Sequence, residues 1–395
     1  MRILVNDHAG HPFQVQLSRK LSLRGNNVMH TYCASVQTPR GAIEQKNYDP
    51  DCFIVSAIRL SKQFNRYGLL SRWHQENQLG RKLSNIVKKY YPEVILSANT
   101  PLNAQAALIN SSRTINAKFI YWVQDLLGTG IHKNIVKKIP LFGHIIGKYF
   151  ELYEKYLLLK SDHVVLISES YKSCVPDRLI AENKVSVIEN WAPLNEITPI
   201  SKKNNWSQKY GLYNKFCFVY AGTLGMKHNP ELLLKLAIKL KNYKDCCIVV
   251  ASEGLGANYL LFNKKQHHLD NLILLEFQPY EQFSQVLGTA DVLLAILEPD
   301  AGVFAVPSKV MTYLCARRPL LLAVPQENLA AQIVLENEAG IVVSPKDEIG
   351  FINAAIKLMT DKDLRNRYAV NGHHYALKNF DIDKIADKFE AIIQQ

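Results

Sequence analysis

The chain has 395 residues, 48% of them hydrophobic, and a formal net charge of +12. This length exceeds one typical hydrophobic core, so roughly two globular domains are expected. No run of about eighteen apolar residues occurs, and the first residues resemble a strand rather than a signal peptide, so neither membrane spanning nor secretion is expected.

The positive charge calls for an acidic partner: nucleic acid, an anionic membrane or a phosphorylated substrate. Lysines and arginines are spread over most of the chain, and no RNA-binding or zinc-finger signature accompanies them, which disfavours nucleic acid. The seven cysteines are scattered, without a CxxC pair or a histidine at zinc-ligand spacing. They are interpreted as reduced core residues of a cytoplasmic protein, and no metal site is expected.

The first half of the chain alternates short apolar runs with stretches of helical periodicity. Strands are predicted at 2–6, 28–33, 51–58, 93–98, 118–123, 163–167 and 185–188. This alternation predicts a mostly parallel, doubly wound α/β sheet. A turn that contains Gly10 joins the first strand to the first helix, and a glycine there lets the backbone approach a phosphate. Gly10 is therefore a candidate ligand-binding residue.

Asp125 closely follows the strand predicted at 118–123. Because the ligands of open α/β sheets lie beyond the carboxyl ends of the strands, Asp125 is a candidate site residue. An aspartate that caps the next turn explains the same position equally well.

The segment 131–160 mixes apolar and aromatic residues with lysines at loosely helical spacing. A helix that rests on an anionic bilayer has this pattern, with lysines at the headgroups and apolar side chains below them. A surface helix that packs on the core is the alternative interpretation.

The α/β rhythm restarts after a polar tract at 200–205, which is interpreted as an interdomain linker or an exposed surface loop. A strand at 216–221 leads into a turn with Gly222 and Gly225, and then through Lys227 into a helix. This layout repeats that of the beginning of the chain. Two such beginnings predict two similar folds that face each other across a cleft.

The stretch 290–325 has the pattern strand, loop, helix, strand. Glu298 lies in the loop, and Pro307, Ser308 and Lys309 stand where the helix is predicted to begin. Free backbone N–H groups at a helix start, together with a lysine, suit a bound anion. A surface loop that leads into an ordinary amphipathic helix explains these residues equally well.

Together these landmarks resemble the glycosyltransferases of family 4, which have the GT-B fold of two Rossmann-like domains. Within that family the chain looks most like the enzymes that build bacterial surface polysaccharides. The resemblance spans nearly the whole chain and is densest in its second half. The motifs that carry it are Asn-Trp at 190–191, Tyr-Ala-Gly-Thr-Leu-Gly at 220–225, Phe-Gln-Pro-Tyr at 277–280, Ala-Asp-Val at 290–292, Val-Pro-Ser-Lys at 306–309 and Thr-Tyr-Leu at 312–314.

The resemblance implies an acceptor-binding first domain, 1–195 with about 379–395, and a second domain, 205–378, that binds a nucleotide-diphosphate sugar. The C-terminal helix would cross back to the first domain. The catalytic candidates are Lys227, Lys309 and Asp125, and the resemblance implies that the two lysines lie at the donor diphosphate. The donor-binding candidates are Gly10, Gly222, Gly225, Glu253, Glu298, Pro307, Ser308 and Thr312.

Several positions depart from the family pattern. The helix that carries the Tyr-Leu pair usually has a glutamate just before it, and Thr312 stands there; near the place of an earlier glutamate stands Phe304. Glu298 can serve as that earlier carboxylate only if its loop is longer than usual, whereas a threonine can still hydrogen-bond a ribose hydroxyl. Arg317 stands where a glycine normally ends the helix, which predicts a mildly strained left-handed residue.

No residue clearly matches the family's catalytic-site histidine, and Gln124 and Asp125 stand near its place. The resemblance implies sugar transfer with retention of configuration. No metal or other cofactor is expected, because Lys227, Lys309 and helix N-termini would stabilise the departing diphosphate. A glycan or lipid-linked acceptor would place the protein in the cytoplasm, with 131–160 at the inner face of the cell membrane. The alternatives are a non-catalytic partner subunit and a sugar-nucleotide epimerase.

Overall fold

A computed structural model of the chain describes residues 1–36, 40, 43–64, 68–302 and 306–395. These residues form two compact units: unit 1 is Met1–Asn190 with Ile382–Gln395, and unit 2 is Trp191–Asp381. The polar tract at 200–205 lies within unit 2. Among the described residues, no helix has both the length and the apolar content that crossing a membrane requires.

Unit 1 is built on a parallel sheet of seven strands. Its strands are β1 (Arg2–Asp7), β2 (Asn27–Cys33), β3 (Phe53–Ile58), β4 (Val94–Ala98), β5 (Lys118–Val123), β6 (His163–Leu166) and β7 (Val185–Val187). The helices between them are α1 (Pro12–Leu23), α2 (Leu69–Tyr90), α3 (Leu102–Thr114), α4 (Leu127–Lys138), α5 (Pro140–Leu159) and α6 (Asp177–Ala181). All residues of β4 are buried, which is typical of a parallel strand covered on both faces and explains its nearly unbroken apolar sequence.

Unit 2 is built on a parallel sheet of six strands. Its strands are β8 (Phe216–Ala221), β9 (Cys246–Ala251), β10 (Leu272–Leu275), β11 (Val292–Ile296), β12 (Leu320–Ala323) and β13 (Gly340–Val343). Its helices are α7 (Asn205–Lys209), α8 (Pro230–Lys239), α9 (Leu255–His267), α10 (Phe283–Thr289), α11 (Pro299–Gly302), α12 (Lys309–Cys315), α13 (Leu329–Glu336), α14 (Glu348–Thr360) and α15 (Lys362–Asn379). Arg317, just after α12, has φ 53°, so the predicted left-handed arginine is confirmed.

Both sheets reverse their winding direction at their first strand. The strand order is β3-β2-β1-β4-β5-β6-β7 in unit 1 and β10-β9-β8-β11-β12-β13 in unit 2. The predicted α/β class with two doubly wound, Rossmann-like sheets is thus confirmed. In such sheets, ligands bind beyond the carboxyl ends of the strands at the point of reversal. The loops that follow β1 and β8 are therefore the first places to look for a site.

The C-terminal helix α16 (Ile382–Gln394) belongs to unit 1, which confirms the expectation that the chain crosses back. The fully buried Phe389 lies with its ring centroid 4.8 Å from that of Trp122 in β5. Arg24, just after α1, pairs with Asp387 at 2.7 Å and with Glu390 at 2.6 Å. Because exposed ion pairs contribute little to stability, the aromatic contact is the stronger attachment.

The segment predicted as one helix over 131–160 is part of two antiparallel helices, α4 and α5. The prediction of a single helix is wrong because Pro140 lacks an N–H donor and restricts the residue before it; Ile139 accordingly leaves the helical region, at φ −137° and ψ 79°. Gly143 lets the two helices approach closely, since a Cβ atom there would lie 2.8 Å from the Cα atom of Val136.

Replacing Phe389 by Ala is expected to lower the free energy of unfolding of unit 1 by about 3 to 5 kcal/mol, because a fully buried aromatic side chain would leave a cavity beside Trp122. Denaturant unfolding followed by tryptophan fluorescence measures the change. Lys388→Ala, at an exposed position of the same helix, is the matched control, with an expected change below about 0.5 kcal/mol. Equal stability of the two variants would contradict this role of the aromatic contact.

Candidate functional site

The turn that follows β8, residues 222–225, begins with a glycine in a conformation that other residues rarely adopt. Gly222 has φ +111°, and its N–H donates to the carbonyl of Ala251 at 3.0 Å. At the other end of the turn, the N–H of Gly225 donates to Nδ1 of His228 at 2.9 Å. The N–H of Gly225 is therefore already hydrogen-bonded to His228, a contact that the sequence pattern did not indicate.

A second glycine turn, after β9, packs directly on the backbone of the first. The N–H of Leu224 donates to the carbonyl of Glu253 at 3.2 Å, and the carbonyl of Leu224 accepts from the N–H of Gly256 at 2.9 Å. A Cβ atom on Gly254, which has φ +116°, would lie 2.9 Å from that same carbonyl oxygen. Glycine is therefore needed at Gly254 for both its backbone angle and the space it leaves.

Lys309 lies against the first glycine turn. Its Nζ atom is 3.5 Å from the carbonyl oxygen of Thr223 and 3.5 Å from the centroid of the Tyr220 ring. A Cβ atom on Gly222 would lie 3.5 Å from both Cε and Nζ of the lysine. The structure thus brings together two of the predicted site residues, Gly222 and Lys309, at the carboxyl end of β8. The lysine places a positive charge where an anion could reach it, and the face of Tyr220 stabilises that charge.

Tyr313 holds Lys309 in this place. Its hydroxyl accepts from the N–H of Ala221 at 2.9 Å and donates to the carbonyl of Ala221 at 3.0 Å. The side chain is completely buried, and burial raises the pKa of its hydroxyl, which therefore stays protonated. These two hydrogen bonds fasten α12 to the end of β8. Because Lys309 lies one helical turn before Tyr313, they also fix the position of the lysine. In the sequence this tyrosine stands out only as part of the Thr-Tyr-Leu motif at 312–314.

The start of α12 differs from the prediction in its hydrogen bonds. The helix begins at Lys309, and Ser308 precedes it without a capping bond from its side chain. The N–H groups of Val310 and Met311 donate to the carbonyls of Pro307 and Ser308, at 2.9 and 3.1 Å. The expectation of free backbone donors is therefore wrong for these two groups, because the first turn closes on itself with short-range bonds. The ammonium of Lys309 remains the main attraction for an anion here.

The other predicted positions of unit 2 lie at the same edge of the sheet or on α12. Glu253 and Glu298 are half-buried and follow β9 and β11, the two neighbours of β8. Thr312 is half-buried on α12, next to Tyr313. The side chain of Lys227 and the whole of Phe304 lie outside the described part of the chain.

In unit 1, the loop that contains Gly10 is folded around Asp7, the last residue of β1. The carboxylate of Asp7 accepts from the N–H of Ala9 at 3.1 Å and from the N–H of His11, and Nδ1 of His11 lies 3.1 Å away. Gly10 has φ +82°, and a Cβ atom there would lie 2.9 Å from the side chain of Ile43. Asp7 is a residue that the sequence analysis did not single out.

Asp7 keeps its negative charge although it is completely buried. Burial alone raises its pKa, but the charge and the hydrogen bonds of His11 outweigh burial, so the pKa lies below its ordinary value. The neighbouring His30 is also buried, and burial lowers its pKa to about 4, so its ring stays neutral. Two backbone donors of the Gly10 loop are therefore occupied by a fixed internal anion.

Asp125 is half-buried after β5, close to a buried carboxyl group, that of Glu154 on α5. Glu154 accepts from the N–H groups of Leu127 and Gly128, each at 2.9 Å, at the start of α4. Burial raises the pKa of Glu154 to about 7, and the charge of Asp125 adds to this increase. Asp125 thus lies near Glu154, whose carboxyl group gains or loses its proton near neutral pH.

Gln124, which stands near the place of the family's catalytic-site histidine, is bonded within unit 1. Its Oε1 accepts from Nδ2 of Asn190 at 2.7 Å, and both side chains are more than nine-tenths buried. Within the described ranges, no group of three or more His, Cys, Asp and Glu residues is arranged to hold a metal ion.

Residues 202–375 match the model of the family described as Glycosyl transferases group 1. This segment includes both glycine turns, Glu298 and α12. The chain contains a group 1 glycosyltransferase domain. The resemblance to glycosyltransferases that the motifs predicted is thus confirmed.

Two curated relatives agree with this assignment of the glycosyltransferase domain. An uncharacterized glycosyltransferase of Methanocaldococcus jannaschii is 22% identical over 244 residues, which are 61% of this chain and 60% of that protein. A UDP-Gal:alpha-D-GlcNAc-diphosphoundecaprenol alpha-1,3-galactosyltransferase of Escherichia coli is 26% identical over 238 residues, 58% of each chain. Each match therefore spans less than two thirds of the relative's length.

Three solved structures share the fold. Sucrose-phosphate synthase from Thermosynechococcus elongatus has a TM-score of 0.74 at 14% identity, over 100% of this chain and 98% of that chain. Anabaena HepE, solved with UDP and glucose, has a TM-score of 0.71 at 13% identity, over 100% and 99%. WaaG, a glycosyltransferase involved in lipopolysaccharide biosynthesis, has a TM-score of 0.66 at 12% identity, over 100% and 99%. These likenesses confirm the GT-B fold.

Replacing Tyr313 by Phe is expected to destabilise the glycosyltransferase domain by about 1 to 3 kcal/mol, because the buried N–H and carbonyl groups of Ala221 would lose their partner. The melting temperature, followed by circular dichroism, measures this loss. Tyr243→Phe, at a position 48% exposed in the same unit, is the matched control and is expected to melt like the wild type. A Y313F melting temperature equal to that of the control would refute the fastening role.

Glu154 is expected to make unit 1 less stable as the pH rises. Its folded pKa of about 7 exceeds its ordinary value of 4.5, so its favourable contribution is complete below the ordinary value and is lost as the pH rises through about 7. Glu154→Gln stays neutral and should remove this loss, of at most about 3 kcal/mol. Thermal unfolding across this pH window measures the effect, with Glu169→Gln, at an exposed position, as the control. Identical pH profiles for wild type and E154Q would contradict the prediction.

Proposed function

We propose that the chain is a retaining, metal-independent glycosyltransferase that moves a sugar from a nucleotide-diphosphate sugar to a glycan or lipid-linked acceptor in cell-surface polysaccharide biosynthesis. The observation that carries this proposal is the ammonium of Lys309, which lies over Tyr220 and against the glycine turn after β8. A cation beside a turn that begins and ends with glycine suits a diphosphate. The group 1 glycosyltransferase match over the same segment supports this use of the site.

The chemistry of sugar transfer explains why such a cation is needed. As the bond to the anomeric carbon breaks, negative charge accumulates on the departing diphosphate, and groups that stabilise this charge lower the barrier. Gly222 exposes backbone rather than a side chain, so a phosphate can approach the ammonium of Lys309 directly. Each charge-assisted contact of this kind contributes about 1.5 to 3 kcal/mol. Lys227, on the same loop, is proposed as a second cation.

The donor's nucleoside is proposed to bind next to this diphosphate site. Glu253 and Glu298 follow the strands on either side of β8, where a carboxylate can accept hydrogen bonds from ribose or sugar hydroxyls. Thr312 offers a hydroxyl in place of the usual carboxylate. Anabaena HepE, which shares the fold, was solved in complex with UDP and glucose, and this complex supports a nucleotide-sugar donor.

Metal independence is proposed because the Asp-x-Asp sequences of this chain have structural uses. Asp49, in the sequence at 49–51, pairs with Arg19 at 2.9 Å. Asp361, at 361–363, caps α15 by accepting from the N–H of Leu364 at 2.9 Å. Asp383, at 381–383, pairs with Lys20 at 2.6 Å. The lysines of the donor site would then supply the positive charge that a metal ion provides in other transferases.

Unit 1 is proposed to bind the acceptor, with Gly10 and Asp125 at the carboxyl edge of its sheet. Retention would follow if the acceptor hydroxyl bonds to the anomeric carbon on the face that the diphosphate leaves, while an oxygen of the departing phosphate takes the hydroxyl proton. No pair of catalytic carboxylates is then needed. The name of the Escherichia coli relative, a galactosyltransferase that acts on a diphosphoundecaprenol, supports a lipid-linked acceptor. An enzyme that uses such an acceptor would act at the surface of a membrane, and we propose the cytoplasmic side.

Replacing Lys309 by Met is expected to lower sugar transfer and donor hydrolysis by at least about a hundredfold, because the charge is lost while the stem that covers Tyr220 is kept. The assay incubates the protein with a panel of nucleotide sugars and measures nucleotide release. Lys357→Met, at an exposed position of α14, is the matched control and should retain wild-type rates. Unchanged turnover of K309M would remove Lys309 from the mechanism.

The same panel decides between the enzyme and its alternatives. Slow nucleotide release with one donor, unaffected by a chelator, supports metal-independent transfer. Thermal stabilisation by a nucleotide sugar without any release would instead identify a non-catalytic binding subunit. Recovery of an altered sugar still attached to its nucleotide would identify an epimerase.

A further inference from the structure

The outer face of α5 exposes an unusual row of large apolar side chains. Seven residues of this one helix have exposed fractions between 40% and 71%. They recur every three or four residues, as one face of a helix does: Phe142, Ile145, Ile146, Tyr149, Leu152, Tyr156 and Leu159. An apolar face of this width normally packs on a core, so its exposure indicates an interaction surface.

The opposite face of α5 is already packed, so the helix cannot turn the exposed row inwards. A Cβ atom on Gly143 would lie 2.8 Å from the backbone of α4, and one on Gly147 would collide with His132. Leu157 and Leu158 are each only 2% exposed. The helix is therefore apolar on two sides, with glycines and leucines facing the protein and the larger side chains facing outwards.

The charges beside the row are all of one sign. Apart from the tyrosines, the exposed titratable side chains described on α5 and at its C-terminal end are His144, Lys148, Lys155 and Lys160, and none is acidic. Of the two glutamates of the helix, Glu154 is buried, and Glu151 is half-buried and already paired with His132 at 2.7 Å and with Lys148 at 3.1 Å. An apolar row flanked by lysines fits a partner that is apolar inside and negative at its surface.

We propose that the outer face of α5 binds an anionic lipid bilayer, with the helix lying in the plane of the headgroups. Its 20 residues would span about 30 Å along the membrane. The apolar side chains would enter the boundary between headgroups and acyl chains, and the two tyrosines suit this boundary because their rings are apolar and their hydroxyls are polar. The lysines would lie at the lipid phosphates, each contributing to the attraction.

The charge distribution argues for lipid rather than for a second copy of the chain. Two such faces packed against each other would bring the lysines of both copies together, and like charges at an interface are unfavourable. An anionic bilayer would supply opposite charges to Lys155 and Lys160 and would add to the pairing of Lys148 with Glu151. The inference extends the proposed function by naming the surface that meets a lipid-linked acceptor, but the binding itself does not depend on sugar transfer.

Liposome flotation of the full chain tests the apolar row. The wild type is expected to float with vesicles of equal parts phosphatidylcholine and phosphatidylglycerol, and to float far less with pure phosphatidylcholine. Ile145→Ser is expected to weaken binding about tenfold, since one inserted isoleucine is lost. The matched control is Ile349→Ser, because Ile349 is 73% exposed on α14 and Ile145 is 71% exposed.

Charge reversal tests the lysines. Lys155→Glu is expected to weaken binding to the anionic vesicles about tenfold, whereas Lys378→Glu, at an exposed position of α15, should have little effect. Added salt should weaken wild-type binding, because headgroup attraction is screened. All four substituted positions are exposed, so melting temperatures should stay at the wild-type value, and donor hydrolysis should be unchanged.

Three outcomes would overturn the inference: no wild-type flotation, equal flotation of I145S and I349S, or equal flotation of K155E and K378E. A lipid-free wild-type dimer that I145S converts to a monomer, seen by light scattering, would also overturn it and would assign the face to a second copy. If I145S and K155E lose flotation but keep normal donor hydrolysis, the lipid-binding surface is supported independently of the proposed function. If the wild type floats but hydrolyses no donor, the lipid-binding surface is supported and the proposed function is rejected.

Discussion

The hydroxyl of Tyr313 makes the contact on which the geometry of the proposed donor site depends. It binds both backbone groups of Ala221, at the end of β8, and so fixes α12 against the strand. Without those hydrogen bonds, α12 would lose its attachment to the strand, and the lysine one turn earlier would no longer be held over Tyr220 and near Thr223. A buried neutral hydroxyl is well suited to this task, because it can donate and accept at once.

The two interlocked glycine turns complete the site. Leu224 exchanges backbone hydrogen bonds with both ends of the turn after β9, so the two loops form one surface made of backbone. Any side chain at Gly254 or Gly256 would push against the backbone of Leu224 or Gly225. The glycines of these turns, next to a fixed ammonium, leave room for a diphosphate to approach closely. The group 1 glycosyltransferase match covers all of these parts.

The fold was predictable because both sheets are parallel and their central strands are buried. Strands such as β4, β9 and β11 are buried at every residue, so they appear in the sequence as apolar runs that periodicity detects. The glycine turn and Lys309 were predictable as residue types at motif positions. The contacts between them were not, because Tyr313 meets Ala221 across 92 positions of the chain and no local pattern records that pairing.

Unit 1 shows most clearly why a repeated layout does not predict a repeated function. Its first strand, glycine turn and helix copy the order found in unit 2, and this similarity suggested two equivalent phosphate-binding loops. In unit 1, however, the buried carboxylate of Asp7 occupies the N–H groups of Ala9 and His11 and keeps its charge. In unit 2 the corresponding turn faces the ammonium of Lys309 instead. The loop of unit 1 thus has two backbone donors fewer to offer a phosphate, whereas a fixed cation in unit 2 attracts one, and this difference supports a donor diphosphate at unit 2 and an acceptor at unit 1.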